Sequence, residues 1–475
     1  MAKFNTTNTI KTLNHEGHVA FDLDEKTKLV TMVCTTFFNE SKYYGDNSTE
    51  LVALAKKLCE SDPKFVSNLA IYARKEMNLR SVSHVLCAII AHEANAKPYI
   101  QRTLQHVLVR SDDLLEILAC YLNMFGKPIP NGLKKGLAQG LKQFNEYEIS
   151  KYAGGNKSVK FKDILKLTHA KAENEEQNAL FQRILTDDLA QAVRWESELS
   201  QNGNNKETWE KLISENKIGY MAALRNLRNM IQANPSNMNQ IYEMLADKQR
   251  VLQSKQLPFR FFSAYNQIQS IASNKELDVL ETAFKHSVEN LHKIPGKTAI
   301  AIDVSGSMKC YTVSGRSKIT AADIARIMAV LLAHLCEEYI VYTFDSRLKS
   351  VTFPSNANLI HTAQNIVVNG GATYMHLPFE EILDKNIYVD RMIVFSDNEV
   401  NGNKHTIQTY ANLYREQVNE NFWVHAVDLC GYGTCQFHGS KTNIISGWSE
   451  KILEYIRLCE EGFSNQVKVI ENYLE

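Results

Sequence analysis

The chain has 475 residues, 44% of them hydrophobic, and its 53 lysines and arginines equal its 53 aspartates and glutamates. This length predicts two or three globular domains, and the balanced charge gives no overall preference for a polyanionic partner. No apolar stretch approaches the roughly 20 residues that span a bilayer, and the first residues lack the apolar core of a secretory signal. We therefore expect a soluble, cytoplasmic protein without membrane contact.

The cysteines argue against a disulfide framework. Nine cysteines, an odd number, are scattered along the chain without a CxxC pair, which is typical of reduced thiols. Four residues near the C-terminus have a spacing that could hold zinc: Cys430, Cys435, His438 and the nearby His425. Because a structural zinc site needs four well-placed ligands and this group follows a strand into a glycine-rich loop, we favour reduced, buried cysteines over a zinc site.

Up to about residue 293 the sequence predicts one helix after another. Asp62-Pro63 is a helix cap followed by proline in the first turn, and apolar residues at 66, 69 and 73 then recur at helical spacing. Similar apolar stripes follow at 114–118, 133–144 and 224–231. Many short amphipathic helices in series predict an α-solenoid of paired helices, although the sequence shows no clean repeat period.

Lysine dominates the stretch from residue 127 to residue 171, where the acidic residues are Glu146, Glu148 and Asp163. The lysines are Lys127, Lys134, Lys135, Lys142, Lys151, Lys157, Lys160, Lys162, Lys166 and Lys171. Apolar residues at 161, 164 and 165 predict a helix that faces the core, and Lys162, Lys166 and His169 share a neighbouring face. Such a helix could present cations to RNA, with Tyr147, Tyr152 and Phe161 as candidate stacking surfaces for unpaired bases. On charge alone, a solvated lysine face is the alternative.

After about residue 295, short apolar strands alternate with helices. The predicted strands are Thr298–Ile302, Tyr339–Phe344, Met392–Phe395 and Trp423–Val427, and the predicted helices are Ala321–Glu337, Leu377–Asp384, Gln408–Val418 and Ser449–Leu458. This alternation predicts a doubly wound parallel sheet. We expect Ile294-Pro295-Gly296-Lys297 to be the linker that precedes it.

Carboxylate and hydroxyl side chains follow two of these strands and a glycine pair between them. They are Asp303, Ser305, Ser307, Thr373 and Asp397. Ligands of parallel α/β sheets bind beyond the carboxyl ends of the strands, and an all-oxygen set suits a hard divalent ion. The sequence therefore predicts a Mg²⁺ or Mn²⁺ site with room for a partner's ligand. The alternative is that residues 303–307 form an ordinary polar strand-to-helix turn.

These five residues resemble the metal-ion-dependent adhesion site of von Willebrand A domains, whose D-x-S-x-S, threonine and aspartate positions they all fill. Other segments resemble the TROVE domain of the Ro ribonucleoprotein autoantigen family, and they are Lys151-Tyr152, the stretch from Phe161 to His169, the stretch from Met221 to Met230 and Leu257 to Phe262. With the A domain that follows, the resemblance covers nearly the whole chain, and the N-terminal third is its loosest part.

The resemblance implies an α-helical HEAT-like repeat ring plus a C-terminal α/β doubly wound domain. Residues 1–20 would be an N-terminal arm, 21–293 the TROVE helical-repeat RNA-binding domain, and 294–475 the von Willebrand A-like domain. It also implies binding of non-coding Y-like RNA and of the single-stranded 3′ ends of misfolded RNA. The expected RNA-binding residues are Lys134, Lys135, Lys142, Lys151, Lys157, Lys162, Lys166, His169, Lys171, Arg225 and Arg228.

Without the resemblance, simpler interpretations of three of these residues would be preferred. His169 would be a core histidine, and Arg225 and Arg228 would be helix-surface arginines paired with acids. The family resemblance favours an RNA-contacting role for all three.

Three function classes follow from these features. The leading hypothesis is a monomeric, non-enzymatic RNA-binding scaffold that acts in RNA quality control or degradation. A second is a protein-interaction adaptor in which the bound ion recruits an aspartate or glutamate of a partner, such as an exoribonuclease, and it can coexist with the first. A third is a metal-dependent hydrolase that uses Asp303, which is weakened because Ser305 stands where aspartyl-phosphate enzymes generally have a second carboxylate.

Overall fold

The structure is a computed structural model that describes residues 11–14, 18–35, 46–154, 157–190, 195–289, 291–310, 312, 318–354, 358–401, 407–447, 451–460 and 466–474. The chain divides into two compact units. The helical unit comprises Glu40–Glu198 and Val467–Glu475, and the mixed unit comprises Met1–Asn39 and Leu199–Gln466. No helix in the described ranges is both long enough and apolar enough to cross a membrane.

The first described elements belong to the mixed unit. They are β1 (Lys11–Leu13), β2 (Val19–Asp22) and α1 (Glu25–Thr35). The helical unit then follows with α2 (Asp46–Ser61), α3 (Pro63–Lys75), α4 (Ser81–His92), a 3-10 helix (Lys97–Tyr99), α5 (Ile100–Val107), α6 (Ser111–Phe125), α7 (Asn131–Leu141), α8 (Glu146–Ala153), α9 (Phe161–Thr168) and α10 (Glu175–Leu185). Sequential short helices are therefore what the apolar stripes produce.

Local sequence signals account for where these helices begin and how they pack. Asp62 caps α3 by accepting a hydrogen bond from the Phe65 backbone N–H at 3.1 Å, with Pro63 in the first turn. On α7, a side chain at Gly136 would collide with Leu104 of α5. This glycine allows α7 to lie directly against α5, with Leu133 and Leu137 buried between the helices around it.

The mixed unit continues with helices and then a sheet. The helices are α11 (Trp195–Asn202), α12 (Lys206–Ser214), α13 (Tyr220–Ala233), α14 (Met238–Ala246), α15 (Lys248–Ser254), α16 (Pro258–Ile268) and α17 (Asn274–His286). The remaining elements are β3 (Ile294–Asp303), α18 (Ser307–Cys310), α19 (Ala321–Leu335), β4 (Cys336–Phe344), β5 (Leu348–Val351), α20 (Leu359–Asn365), α21 (Leu377–Asp384), β6 (Arg391–Ser396), α22 (Ile407–Gln417), β7 (Trp423–Asp428), β8 (Thr434–Cys435), β9 (Thr442–Ser446), α23 (Lys451–Glu460) and α24 (Gln466–Glu471). Two helices cross the boundary between the units: α11 begins in the helical unit and ends in the mixed unit, and α24 begins in the mixed unit and ends in the helical unit.

The main sheet has the strand order β5-β4-β3-β6-β7-β9. All of its pairings are parallel except that of β5 with β4, which is antiparallel, so the sheet is mixed rather than purely parallel. Every residue of β6 is buried, as expected for a central strand covered on both faces. The predicted fold class, a helical region followed by a C-terminal α/β domain, is confirmed, and the HEAT-like ring stays a prediction.

The predicted linker is wrong. Residues 294–297 form the start of β3, where the Gly296 N–H donates to the Glu337 carboxylate at 2.9 Å and the Pro295 carbonyl accepts from Arg391 at 2.7 Å. The pairing of β3 with β4 is irregular between Ile294 and Lys297. Proline and glycine are tolerated at such an irregular strand start, which is why their presence did not mark a linker.

The N-terminal segment carries strands that the helical pattern did not indicate. β1 pairs with β2, and β2 pairs with β8, forming a small antiparallel sheet. The Asn14 side-chain amide donates to the Val400 carbonyl at 2.9 Å, and the Phe21 ring packs on the His438 ring. Residues 11–22, which span the end of the predicted arm, are thus part of the mixed unit.

Helices α16 and α17 hold both ends of α20, within the mixed unit. The Glu281 carboxylate accepts hydrogen bonds from the backbone N–H groups of Leu359 and Ile360 at 2.6 and 3.0 Å. At the other end, the Gln364 side chain donates to Gln269 at 3.0 Å. The chain that leads into the glycine-rich loop at 370–371 therefore starts from a fixed position.

Candidate metal centre and candidate nucleic-acid interface

Asp303, at the end of β3, anchors the predicted metal site. Its side chain is fully buried, and one carboxylate oxygen accepts the Ser305 N–H at 2.9 Å while the other accepts the Ser396 hydroxyl at 2.6 Å. The hydroxyl oxygens of Ser305 and Ser307 are 3.2 Å apart. The D-x-S-x-S segment is therefore a hydrogen-bonded turn whose oxygen atoms lie together.

Backbone hydrogen bonds tie the two later loops to this turn. The Gly370 N–H donates to the Val304 carbonyl at 3.0 Å, and the Gly306 N–H donates to the Gly371 carbonyl at 3.1 Å. A Cβ atom at Gly306 would lie 3.2 Å from the Gly370 carbonyl oxygen, a tight contact that glycine avoids. Because Thr373 also bonds through its N–H to the Asn401 side chain at 2.7 Å, the loops that follow β3 and β6 and the glycine-rich loop meet at one edge of the sheet.

The electrostatics of this edge favour a cation. Asp303 and Asp397 are both fully buried, and burial, followed by the negative charge of Asp397, raises the pKa of Asp303 to about 7. Two carboxylates in a dry site repel each other, and a divalent ion relieves that repulsion. The donor set of two carboxylates and three hydroxyls fits a hard ion that keeps some water ligands. In the described part of the chain no group of three or more histidine, cysteine or acidic side chains could hold a metal, so any site here depends on the hydroxyls.

Sequence reasoning missed another acidic residue at this edge, Asp428 at the end of β7. It is fully buried, and one of its oxygens accepts the N–H groups of Cys430 and Gly431 at 2.9 and 2.8 Å. Burial raises its pKa to about 6, and the charge of Asp397 adds to the shift. The signal was present in the sequence, since Asp428 directly follows the predicted strand Trp423–Val427.

The residues weighed for zinc are engaged elsewhere. The Cys435 thiol points to the Phe437 carbonyl at 3.2 Å, and the His438 ring packs on Phe21. His425 is buried, with its Nε2 atom 2.9 Å from the Glu460 carboxylate. Each of these three side chains therefore has its own partner within the protein, and they do not converge on one point.

On α9, the predicted division between core and solvent is confirmed. Phe161, Ile164 and Leu165 are buried, whereas Lys166 and His169 are exposed. His169 ends the helix in a left-handed conformation with φ of 53°, and its N–H donates to the Leu165 carbonyl at 2.9 Å. The exposure of His169 excludes a core histidine, so its ring is accessible to a ligand.

The predicted RNA-binding lysines of the helical unit fall into two groups. Lys142 and Lys162 are held by acids, with Nζ atoms 3.0 Å from the Glu173 carboxylate and 2.6 Å from the Asp187 carboxylate. In the ranges that the structure describes, the others form no ion pair: Lys134, Lys135, Lys151, Lys157, Lys166 and Lys171. The hydrogen bond from Lys162 lowers the pKa of Asp187, and the more distant charge of Lys166 adds to that shift. Charges without an internal partner are the ones available to neutralise phosphates.

One aromatic ring lies beside several cations. Lys151, Lys157 and Arg110 approach the Tyr152 ring, with 5.5, 5.8 and 4.7 Å to its centroid. Tyr152 is half-buried, while Phe161 is fully inside the core and is no stacking surface. Tyr152 is therefore the aromatic residue of this segment that the structure places beside three cations.

In the mixed unit, Arg225 and Arg228 lie on α13. Both are exposed, and Met221, at a spacing that places it on the same face, is 54% exposed. Neither arginine has an acidic partner among the described residues, which contradicts the simpler interpretation of surface ion pairs. Asn226, Leu227 and Leu224 turn the opposite face of α13 into the core.

Comparisons with known proteins agree with this architecture. The family model described as TROVE domain matches residues 13–193 and 187–305, and the one described as Ro60 vWA domain matches residues 297–433. The crystal structure of the Deinococcus radiodurans RO (RSR) protein superposes with a TM-score of 0.60 at 16% sequence identity, covering 86% of this chain and 93% of that chain. At this identity the superposition shows a shared fold.

The curated relatives that match are much longer than this chain. Telomerase protein component 1 of Rattus norvegicus is 21% identical over 337 residues, and that of Mus musculus is 19% identical over 339 residues. Each match covers 52% of this chain but only 13% of the relative. Since the TROVE match extends over more than half of the sequence and the Ro60 vWA match follows it, the chain belongs to the TROVE domain family.

Proposed function

We propose that this protein is a cytoplasmic, monomeric RNA-binding scaffold that binds non-coding Y-like RNA and the single-stranded 3′ ends of misfolded structured RNA, in RNA quality control or degradation. Membership of the TROVE family is consistent with an RNA-binding ribonucleoprotein. The observation that carries the proposal is the exposed Lys166, His169 and Lys171 at the end of α9, with no acidic partner among the described residues.

The physical basis is electrostatic attraction combined with base contacts. Each phosphate that is neutralised adds roughly −0.7 to the slope of log affinity against log salt for single strands. An imidazole can hydrogen-bond or stack as well as carry partial charge. Loss of His169 should therefore weaken binding with less change in the salt slope than loss of several lysines.

We further propose that Asp303, Ser305, Ser307, Thr373 and Asp397 hold Mg²⁺ or Mn²⁺. The ion would supply an open coordination position for the carboxylate of a protein partner, such as an exoribonuclease. The buried, mutually repelling carboxylates support this role. The second candidate function is a protein-interaction adaptor that acts through the ion and does not bind RNA. It is supported by the same two carboxylates, Asp303 and Asp397.

We propose no intrinsic nuclease or phosphatase activity. The chain offers no paired-carboxylate two-metal motif, and Ser305 occupies the position of a second catalytic carboxylate. Turnover of labelled RNA or of a phosphate ester by the purified protein, abolished by Asp303→Ala, would restore the hydrolase hypothesis.

The deciding experiment measures binding of a 3′-overhang RNA across a salt series. Wild type is compared with Lys166→Ala/His169→Ser and with Asp303→Ala. The double change should weaken binding, and Asp303→Ala should leave it intact. The proposal fails if the double change has no effect, or if Asp303→Ala alone abolishes binding while the protein stays folded.

A further inference from the structure

A surface pocket lies between α9 and α10 in the helical unit. Its volume is about 650 Å³, and Leu165 and Phe181, which are 6% and 5% exposed, form its floor. Leu185 at the rim is 37% exposed, so part of its apolar side chain is accessible from the pocket. A volume of this size suits a small organic group such as a nucleotide, since ligand sites commonly span about 300–1,000 Å³.

Polar groups on the wall are placed to recognise the edge of a planar ring. Asn178 and Gln182 are one helical turn apart on α10, and both line the pocket and are exposed. Their side-chain amides form no hydrogen bond within the described ranges. Each amide offers both a donor and an acceptor, the pairing that nucleobase edges require.

The charged side chains around the pocket favour a nucleobase over a small free anion as the ligand. Lys166 and Lys171 line one side, and neither forms an ion pair among the described residues. Glu175 and Glu173 also line it, and only Glu173 is offset by a lysine, Lys142 at 3.0 Å. A small free anion would meet these carboxylates, whereas a base carries its negative charge on the backbone outside the ring.

We propose that this pocket holds one unpaired base of a bound RNA strand, stacked over Leu165 and Phe181, with the flanking phosphates on Lys166 and Lys171. This inference rests on the proposed RNA-binding function and adds a position along the strand at which the base itself matters. An occupant with a flat apolar face, polar edges and an adjacent negative charge matches all three features of the pocket.

The test uses an RNA hairpin with a short single-stranded 3′ tail, in which one tail position at a time is made abasic. Removing a base keeps every phosphate, so a purely electrostatic site responds equally at all positions. Wild type should show a loss of about tenfold at one position, as expected when a single stacked base is removed.

Two matched variants localise that effect. Ala172→Trp fills the pocket from its half-buried wall and should abolish the position dependence while leaving the salt slope unchanged. Ala179→Trp places the same side chain at an exposed position of α10 that does not line the pocket, and it should behave as wild type. Circular dichroism melting checks that both variants remain folded.

The possible results distinguish failure of the base pocket from failure of the RNA-binding function. Salt-dependent RNA binding that is insensitive to every abasic position, or equally disturbed by both tryptophan variants, overturns the base pocket and leaves the RNA-binding function standing. Absence of measurable RNA binding by the wild type overturns both.

Discussion

Two buried aspartates, one in each unit, have opposite surroundings. Asp113 of the helical unit accepts hydrogen bonds from Arg74 at 3.1 Å, Arg80 at 2.6 Å and His84 at 3.0 Å. Although burial opposes the shift, these partners hold its pKa well below the usual range. Asp303 of the mixed unit has hydroxyls and another carboxylate for neighbours, and burial with that charge raises its pKa to about 7.

The difference separates a structural carboxylate from a candidate ligand. Asp113 has its counter-ions within the chain, so its charge holds α3, α4 and α6 together. Asp303 has no internal cation among the bonds that the structure describes, so its negative charge is unfavourable in this buried position. Burial alone does not distinguish the two, whereas the charge of the neighbours does.

The largest expected effect comes from removing Asp113, the structural carboxylate of this comparison. Asp113→Ala should destabilise the folded protein by about 3–5 kcal/mol, because it leaves the buried Arg74 without its carboxylate and leaves Arg80 with Asp112 alone. The measurement is the midpoint of urea unfolding at neutral pH. Mg²⁺ binding by the remaining folded protein should be unchanged, and a lost Mg²⁺ affinity would contradict the separation of the two aspartates.

The same residue predicts an acid response. Because the pKa of folded Asp113 lies below its unfolded value, the stability it contributes is complete above the unfolded pKa and is lost as pH falls toward the folded one. Wild type should therefore lose stability more steeply than Asp113→Ala as pH falls below about 4. Parallel curves for the two proteins would show that the pairing contributes nothing.

The next prediction tests Asp303 as a candidate metal ligand. Asp303→Ala should weaken Mg²⁺ binding by at least about 100-fold, since even outer ligand partners cost about 10–100-fold. Calorimetry with Mg²⁺ on the purified protein measures it, with Asp113→Asn as a control that removes a buried carboxylate's charge elsewhere. Equal Mg²⁺ affinity in wild type and Asp303→Ala would sink the assignment.

Sequence patterns predicted the parts of the molecule that depend on local or periodic signals. The buried face of α9 follows from helical spacing, and helix α21 was placed at its observed bounds, Leu377–Asp384, from its apolar pattern. The helix predicted to end at Glu337 stops at Leu335, because Cys336 already begins β4. β5 has four residues, none of them buried, so its apolar pattern was too weak to predict a strand.

Contacts between residues that are far apart in the chain could not be predicted from the sequence. Nothing local distinguishes Lys162, which forms an ion pair with Asp187 25 positions later in the chain, from Lys166 one helical turn on, which forms no ion pair in the described ranges. Likewise, the link between Asn14 and Val400 joins residues that are 386 positions apart. The metal-site residues share an edge because of sheet topology, and only the strand-end rule anticipated it.

A smaller effect is expected from the lysines that form no ion pair. Lys166→Ala/His169→Ser should weaken binding of a 3′-overhang RNA by about tenfold at moderate salt and lower the magnitude of the salt slope by about 0.7, the share of one phosphate contact. Fluorescence anisotropy across a salt series measures both quantities. An unchanged slope with lowered affinity would place the effect on His169 alone.

The smallest expected effect comes from the paired lysine on the same helix. Lys162→Ala/Asp187→Asn removes a positive and a negative charge together, so the net charge of the surface is kept while the 2.6 Å ion pair is lost. Asn tolerates the left-handed backbone of Asp187, whose φ is 58°, so the turn should survive. Because Lys162 already has an internal partner, we expect RNA affinity within about twofold of wild type and an unchanged salt slope, since exposed ion pairs contribute little. A loss as large as that of the Lys166 and His169 variant would mean that Lys162 leaves Asp187 to bind phosphate, and the division of the lysines by their internal partners would then be wrong.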